Sequence, residues 1–230
     1  MVLKGGITHE GARAAASHTG AMAVHHEIWS AAMHQHRCIE VKTLEQLIDV
    51  VMMVTSEQLP FGPRIGFLGA GGGTSVLFTD FAVSAGLSMP ELQKKTQETI
   101  SEMIANINTS TTNPVDLGAY GFDFEIMVNT MKAMDDDDNI DTIIPYFSAD
   151  FLSFLKDEIL ESGLLDMTRA AKSLKKCVIP VLEISAEDNP RVEELRIISF
   201  RILRDAGLPV YNTTHDAART IAWVLKWRNG

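Results

Sequence analysis

The stretch RIGFLGAGGGTS, residues 64–75, constrains the fold more than any other part of this 230-residue chain. A short apolar run ends there in three consecutive glycines followed by a Thr-Ser pair. An apolar run of this length beside glycine is typical of a strand buried on both faces, and the glycines are typical of a turn into a helix. The stretch therefore predicts a strand at 64–70 and a helix that runs from the glycine turn to Ala85.

The same alternation of strand and helix recurs along the chain. Further strands are predicted at 38–41, 140–147, 177–184 and 208–212. Further helices are predicted at 21–36, 44–54, 91–105, 124–134, after Ser148, from about 190, and at 214–226. Residues 113–118, NPVDLG, are predicted to form a turn-rich loop, and residues 59–63, LPFGP, a linker. Alternating strands and helices indicate an α/β fold, a parallel sheet with helices on both faces.

The N-terminal part is expected to be an incomplete α/β unit. Residues 1–4, MVLK, have the character of the end of a buried strand, yet no partner strands precede them. Thr43 and Gln46 form a possible capping box for the helix at 44–54. A sheet that is cut short leaves an unpaired edge, so this part is expected to associate with other chains or domains.

Composition excludes several classes of protein. The chain is 46% hydrophobic and 22% charged, with a net charge of −10, which is ordinary for a globular protein and opposite in sign to a nucleic-acid-binding surface. No apolar run approaches the length of a membrane span, and the start lacks a secretory signal. Cys38 and Cys177 provide no disulfide framework and are expected to be buried. We therefore predict a cytoplasmic protein that binds neither nucleic acid nor membrane.

His18 stands in a run of small residues, GARAAASHTGA at 11–21. Spacing alone favours a loop histidine with a satisfied hydrogen bond. The alternative is a nucleophile, because a neutral imidazole can attack a phosphoryl group and small neighbours give that group room to approach. The N-terminus of the predicted helix 21–36 would then supply positive potential for the phosphate.

The glycine-rich turn at 69–75 has two interpretations of equal weight. It lies between a strand and a helix, where α/β proteins bind anions, so Gly71, Gly72, Gly73 and Thr74 are candidate phosphate contacts. The sequence does not fit G-x-G-x-x-G, because Thr74 replaces the last glycine, and it is no P-loop, because no lysine follows. The other interpretation is a tight turn that needs glycine dihedral angles.

Two clusters of possible metal ligands are better explained without a metal. The aspartate run at 135–138 is expected to be a solvated turn, because it lacks the alternating spacing of a calcium loop. Five further histidines have no pair at i, i+4 and are expected on the surface: His9, His25, His26, His34 and His36.

Four segments give the chain a specific resemblance. Residues 2–23, VLKGGITHEGARAAASHTGAMA, resemble the phosphohistidine segment of the nucleoside-diphosphate-forming acyl-CoA synthetases, which include the ADP-forming acetyl-CoA synthetases and are related to succinyl-CoA synthetase. Residues 64–87, 111–118 and 206–220 resemble, in the same order, the flavodoxin-like domain that follows in that family.

The resemblance implies a fold and a domain organisation. Residues 1–58 would be the C-terminal part of a histidine-bearing flavodoxin-like domain, and residues 59–230 a complete succinyl-CoA synthetase-like flavodoxin domain with a three-layer parallel sheet. The family enzymes are longer and also carry a CoA-binding domain and an ATP-grasp unit. This chain is therefore expected to be a fragment or a shortened subunit, inactive alone, that assembles with those partners as a homo- or hetero-oligomer.

The resemblance also implies a reaction, in which acyl-CoA, ADP and phosphate give acid, ATP and CoA, reversibly. His18 would take the phosphoryl group from an acyl phosphate and pass it to ADP, with Thr19, Gly20 and the turn at 71–74 as phosphate contacts. CoA, ADP or ATP and Mg²⁺ would act in the complete enzyme, with no cofactor held tightly by this chain. The helix after Ser148 would be a second phosphate-facing helix, although Asp150 would repel phosphate there.

Two other functions stay open. The chain could be a non-catalytic subunit or remnant that only docks against partner domains. It could also be an acyl- or CoA-binding module with unrelated chemistry.

Overall fold

The structure is a computed structural model that describes residues 1–19, 25–185 and 189–230. Two separate parallel sheets organise these residues, one of two strands and one of five. The strands are β1 (Val2–Leu3), β2 (Glu40–Val41), β3 (Ile65–Gly69), β4 (Val115–Asp116), β5 (Thr142–Ser148), β6 (Cys177–Val178) and β7 (Val181–Glu183). The described α-helices are α1 (His9–Thr19), α2 (His26–Gln35), α3 (Leu44–Val54), α4 (Gly72–Ser84), α5 (Lys94–Ser101), α6 (Phe124–Asp135), α7 (Ala149–Leu152), α8 (Asp157–Ser173), α9 (Pro190–Asp205) and α10 (Thr214–Asn229). The predicted α/β fold is confirmed.

The larger sheet has the strand order β4-β3-β5-β6, and β7 also pairs with β5. All of these pairs are parallel. A further parallel bridge joins Val181 to Tyr211. This is the 2-1-3-4-5 order of a flavodoxin-like sheet, with the fifth position reduced to one bridge. The prediction of a full strand at 208–212 is therefore wrong, because Leu208 and Pro209 bring the chain to the sheet edge without pairing.

Helices cover both faces of the larger sheet. On one face α4 and α10 pack over the sheet, where Phe67 stacks on Phe78 with ring centroids 4.4 Å apart. On the other face α6, α8 and α9 pack together, where Phe124 stacks on Phe147 at 5.8 Å. Every residue of β3 and β5 is buried. Burial on both sides explains why neither strand alternates apolar and polar residues.

Helix α3 connects the small sheet to the large one. It packs against β1 and β2 and also against α10. The guanidinium of Arg219 donates to a carboxylate oxygen of Asp49 at 2.9 Å, and the hydroxyl of Tyr211 donates to the Asp49 carbonyl at 3.0 Å. The predicted cap at Thr43 is present, since its hydroxyl accepts from the Gln46 N–H. The second bond of a capping box is shifted by one residue, because the Gln46 side chain accepts from the Lys42 N–H and not from the Thr43 N–H.

Several predicted boundaries are wrong. The loop at 113–118 contains β4, a strand of only two residues that no periodicity can reveal. The helix expected at 91–105 spans only Lys94–Ser101, and the helix expected from residue 21 begins at His26. Residues 9–19 form α1, which the sequence analysis missed although alanine favours helix. Strand β1 is present but Leu3 is 40% exposed, so it is not buried as expected.

The aspartate run at 135–138 is not the solvated turn that was expected. Asp135 and Asp137 are buried, and each carboxylate accepts two backbone N–H groups. Asp136 is exposed and pairs with Lys175 at 2.9 Å, which lowers the pKa of its carboxyl group. The run therefore fastens the loops around it by hydrogen bonds, a role that depends on tertiary neighbours.

No α-helix in the part of the chain that the structure describes is long and apolar enough to cross a membrane.

Candidate functional site

His18 is the second-last residue of α1, and its side chain is exposed. Within the described ranges, the imidazole forms no hydrogen bond or ion pair. Ala14 and Ala16 on the preceding turn are also exposed. An imidazole in this setting is accessible to a reactant, and small side chains leave room beside it.

The helix geometry around His18 differs from the prediction. The histidine lies at the C-terminal end of α1, where the helix dipole and the free carbonyl groups favour a cation over a phosphate. The next helix begins at His26, and Gly20 lies outside the described residues, as do residues 21–24. Thr19 ends α1. The C-terminal end of α1 therefore supplies no positive potential for a phosphoryl group on His18, and the role predicted for the helix start at residue 21 lies outside the described residues.

The glycine-rich turn forms the start of α4 as predicted. Gly71 is the N-terminal cap residue with φ +116°, a conformation that only glycine adopts easily. Gly72, Gly73 and Thr74 form the first turn, and their N–H groups have no acceptor among the described residues. Free N–H groups at a helix start are suited to an anion. The need for glycine at residue 71 is thus structural, while the phosphate contacts stay a prediction.

Asp116 at the end of β4 approaches the same turn. Its Oδ1 accepts from the N–H of Gly71 at 3.2 Å and from the N–H of Gly118 at 2.9 Å. Its Oδ2 lies 3.1 Å from the position that a Cβ on Gly72 would occupy. The carboxylate orders the turn, and it also places a negative charge beside the predicted phosphate contacts. Asp116 is not among the predicted site residues, because the sequence predicts a loop at 113–118.

Thr74 lies near Tyr146 on β5, which in turn lies near Glu183 on β7. Burial raises the pKa of the Tyr146 hydroxyl, and the neighbouring Thr74 side chain opposes that rise. Burial also raises the pKa of the Glu183 carboxyl group, and the neighbouring Tyr146 opposes that rise. Polar residues at the carboxyl ends of neighbouring parallel strands were the available signal for this group, because those ends meet at one sheet edge.

The helix after Ser148 has only four residues, and the Ser148 side chain caps none of its N–H groups. Asp150 lies in its first turn, and its Oδ2 accepts from the N–H of Ser185 at 2.6 Å. A carboxylate therefore stands at the start of α7, where the sequence analysis expected it to repel phosphate.

The other candidate ligands do not converge. Among residues 1–19, 25–185 and 189–230, no group of three or more His, Cys, Asp or Glu side chains is placed to hold a metal ion. Of the five histidines expected on the surface, His26 is half-buried, with Nδ1 4.0 Å from Glu40, and the other four are exposed. Both cysteines are free. Cys177 is buried as expected, and burial raises its pKa to about 12, whereas Cys38 is half-buried.

Comparison with known proteins gives the chain its relatives. Residues 1–54 match the model of the succinyl-CoA ligase-like flavodoxin domain. The alpha subunit of acetate–CoA ligase [ADP-forming] II from Pyrococcus furiosus is 32% identical over 234 residues, which cover 100% of this chain and 48% of that subunit. Acetate–CoA ligase [ADP-forming] II from Archaeoglobus fulgidus is 27% identical over 237 residues, or 99% of this chain and 32% of that protein.

A solved structure has the same fold. The dinucleotide-forming acetyl-CoA synthetase 1 of Ca. Korarchaeum cryptofilum, in complex with phosphate and ADP, superposes with a TM-score of 0.79 at 22% identity. The match covers 99% of this chain and 46% of that one. The chain thus spans less than half the length of these three relatives. The resemblance to the ADP-forming acyl-CoA synthetases and the flavodoxin-like fold are confirmed.

Proposed function

We propose that this chain, whose resemblance to the ADP-forming acyl-CoA synthetases extends over its whole length, is the phosphohistidine-bearing part of such an enzyme. The complete enzyme would convert acyl-CoA, ADP and phosphate to acid, ATP and CoA, reversibly. The observation that carries the proposal is the 32% identity to an ADP-forming acetate–CoA ligase alpha subunit over 100% of this chain. The His18 imidazole is exposed and has no partner among the described residues, which supports the chemical role.

The chemistry assigned to His18 is two phosphoryl transfers. Phosphate displaces CoA from acyl-CoA to give an acyl phosphate and CoA. A nitrogen of the neutral His18 imidazole attacks the phosphorus, the P–O bond to the acyl group breaks, and the carboxylate leaves. A terminal oxygen of ADP then attacks the phosphohistidine, the P–N bond breaks, and ATP and neutral His18 result.

Phosphate contacts are proposed at Thr19, Gly20 and the first turn of α4. The N–H groups of Gly72, Gly73 and Thr74 have no acceptor among the described residues, which supports phosphate contacts at the first turn of α4. The Asp116 carboxylate beside Gly72 opposes such contacts. A phosphoryl group would be held there only if the positive potential of the turn exceeds the repulsion from Asp116, which other parts of the complete enzyme can change.

Two units are proposed within the chain. Residues 1–58 would be the C-terminal part of the histidine-bearing domain, and residues 59–230 a second flavodoxin-like domain. The separate two-stranded and five-stranded sheets support this division. CoA-binding and ATP-grasp parts would come from other domains or subunits of a cytoplasmic, oligomeric enzyme.

Mg²⁺ would act with the nucleotide in the complete enzyme. The residues described do not fit such an ion, since they form no group of three or more ligands for a metal. We therefore assign this chain no step through Mg²⁺, and we propose that nucleotide and metal are held by the ATP-grasp part.

A chimera tests the proposal. This chain would replace the matching 48% of the Pyrococcus furiosus alpha subunit, and the chimera would be assembled with the other components of that enzyme. With acetyl-CoA, ADP and phosphate it is expected to form ATP, whereas the isolated chain is expected to form none, because the reacting groups are not held together. Incubation with γ-labelled ATP should place acid-labile, alkali-stable phosphate on His18.

Matched variants separate the nucleophile from its neighbours. His18→Asn should abolish labelling while the far-UV circular dichroism stays unchanged. His25→Asn and His26→Asn remove imidazoles from the start of α2 and should leave labelling largely intact. Labelling of another residue would overturn the role of His18, and an assembled, folded chimera without label or ATP formation would favour the non-catalytic docking function.

A further inference from the structure

A cavity of about 410 Å³ lies between α2, β2 and the last two turns of α10, and neither His18 nor the glycine turn is among its described lining residues. This volume falls in the range of sites for small organic molecules. We propose that this cavity binds a planar aromatic molecule that carries an anionic group, such as a nucleoside monophosphate or an aromatic carboxylate. The inference is independent of the function proposed above.

Two tryptophans provide an aromatic wall. Trp223 and Trp227 are four residues apart on α10, so their side chains lie one turn apart on the same face, and both line the cavity. The guanidinium of Arg219 lies over the Trp223 ring, 5.2 Å from its centroid, and covers part of that ring. Trp227 is 44% exposed. An exposed indole in a concave surface gives a planar ring a stacking surface, since aromatic rings prefer offset stacking.

Two unpaired cations lie beside this wall. Arg37 and Lys226 both line the cavity. Within the described residues, neither side chain donates a hydrogen bond or forms an ion pair, although the chain as a whole has a net charge of −10. Unpaired arginine and lysine beside an aromatic surface match a ligand that joins a planar ring to an anionic group.

The backbone at Arg37 adds a second observation. Arg37 has φ 54°, and it occupies the position after α2 where glycine is usual. Its N–H donates to the His34 carbonyl at 3.0 Å, and the Cys38 N–H donates to the Met33 carbonyl at 2.8 Å, which is the Schellman arrangement. The chain thus places a cationic side chain at the cavity rim where glycine would be less strained, and backbone strain of this kind is often found at binding sites.

Among the described residues that line the cavity, Glu40 has the only acidic side chain, and it limits which anions fit. Its carboxylate accepts from the Ser30 hydroxyl at 2.7 Å and lies 4.0 Å from Nδ1 of His26. A single anionic group placed near Arg37 and Lys226 is therefore favoured over a highly charged polyanion, which Glu40 would repel.

Titration of the purified chain with small probes tests the inference. Gly230 also lines the cavity, so any affinity tag is placed at the N-terminus and removed. In a Trp29→Phe background, fluorescence reports only Trp223 and Trp227, because the chain has three tryptophans. AMP and benzoate are the two probes that carry both a ring and an anionic group. We expect at least one of them to quench the tryptophan fluorescence saturably. The probe that binds more tightly shows whether the cavity prefers a phosphate or a carboxylate.

Two further probes separate ring from charge. Adenosine has a ring without an anionic group, and inorganic phosphate has charge without a ring. Each is expected to bind at least tenfold more weakly than AMP or benzoate, whichever is the tighter. Equal binding of adenosine would overturn the role of the cations, and equal binding of phosphate would overturn the role of the tryptophans.

Arg37→Gly is the decisive variant, because glycine relieves the strain at φ 54°. We expect it to raise the Tm and to weaken binding at least tenfold, so that lost binding cannot be ascribed to unfolding. Lys226→Ala should weaken binding similarly, while Arg201→Ala on α9 removes the same charge elsewhere and should change nothing. Unchanged affinity in Arg37→Gly and Lys226→Ala, or no saturable binding of AMP and benzoate at 25 °C, would overturn the proposal.

Discussion

The two sheets of this protein differ in how completely they are covered. In the five-stranded sheet, every residue of β3 and β5 is buried between two layers of helices. In the two-stranded sheet, Leu3 is 40% exposed, and the outer face of α3 exposes Leu44 (58%), Ile48 (50%) and Val51 (42%). The first sheet holds a closed core, whereas the second presents apolar surface that nothing in the described structure covers.

Helix α3 has one apolar face that is buried and another that is exposed. On α3, Val50 and Met53 are fully buried against the larger part of the molecule, and the neighbouring Val51 faces outward. Exposed apolar side chains in a continuous stripe are typical of an interaction surface. We therefore expect mutations in the five-stranded sheet to lower the free energy of unfolding strongly. Mutations on the outer face of α3 should change association and not folding.

The largest effect is expected from Phe67→Ala in β3. Phe67 is fully buried and stacks on Phe78, so the loss of its ring should destabilise the fold by about 3–5 kcal/mol. Leu3→Ala in the two-stranded sheet should cost less than about 1 kcal/mol because its side chain is already 40% exposed. Urea unfolding followed by circular dichroism measures both. Similar losses of stability at the two positions would contradict the difference in burial between the two sheets. Phe154→Ala is the control for loss of a phenyl ring, because Phe154 is 83% exposed.

Arg219→Met should have the next largest effect, because Arg219 connects α10 to α3. Its guanidinium pairs with Asp49 at 2.9 Å and Asp216 at 2.7 Å, and its side chain is 18% exposed. Removing it takes the arginine partner from two partly buried carboxylates, of which Asp216 still accepts from the Thr213 hydroxyl at 2.7 Å, at a cost of roughly 2–3 kcal/mol. The free energy of unfolding at pH 7 measures the loss, and Arg169→Met, which breaks an exposed pair with Asp166, should cost under about 0.5 kcal/mol.

The same variant makes a prediction about pH. Burial raises the pKa of Asp49 above its usual value and Asp216 raises it further, while Arg219 lowers it. An acid with a raised pKa in the folded state destabilises the fold above that pKa, and the penalty disappears as the pH falls and the group becomes protonated. Without Arg219 the penalty grows, so the stability difference between wild type and Arg219→Met should narrow as the pH falls from 7 towards 3.8, the ordinary pKa of this carboxyl group. A difference that widens would contradict the assignment.

Val50 and Val51 offer the sharpest matched pair. Both are valines on α3, but Val50 is 0% exposed and Val51 is 42% exposed. Val50→Ala should cost about 2 kcal/mol for two buried methyl groups and the cavity they leave. Val51→Ala should cost less than about 0.5 kcal/mol. Because the two variants share helix propensity, the gap between their urea midpoints measures the packing of Val50 in the core.

The smallest effect concerns association. If the outer face of α3 drives the chain to self-associate, sedimentation at micromolar concentration should show oligomers. Ile48→Lys places a charge in the centre of the stripe and should weaken association about tenfold, equivalent to about 1.4 kcal/mol. Ile197→Lys is the control, since Ile197 is also about half exposed, at 53%, but lies on α9. A monomeric wild type would show that this surface is covered in another way.

Local signals determined much of this protein at the level of sequence. The glycine turn after an apolar run predicted β3 and α4, and the spacing of Thr43 and Gln46 predicted the start of α3, because both depend on residues within one turn of each other. His18 was identified from its own segment in the same way. These features need no knowledge of what packs against them.

Only the tertiary structure decided which polar groups lie together. Asp116 accepts from the N–H of Gly71, and it lies on a strand where the sequence predicts a loop. Asp137 is buried because the N–H of Gln93, 44 residues earlier, satisfies its carboxylate. Arg37 and Trp227 line the same cavity although most of the chain separates them in sequence. Such pairings follow from sheet order and helix packing, which bring distant residues within hydrogen-bond distance, and no periodicity in a single chain records them.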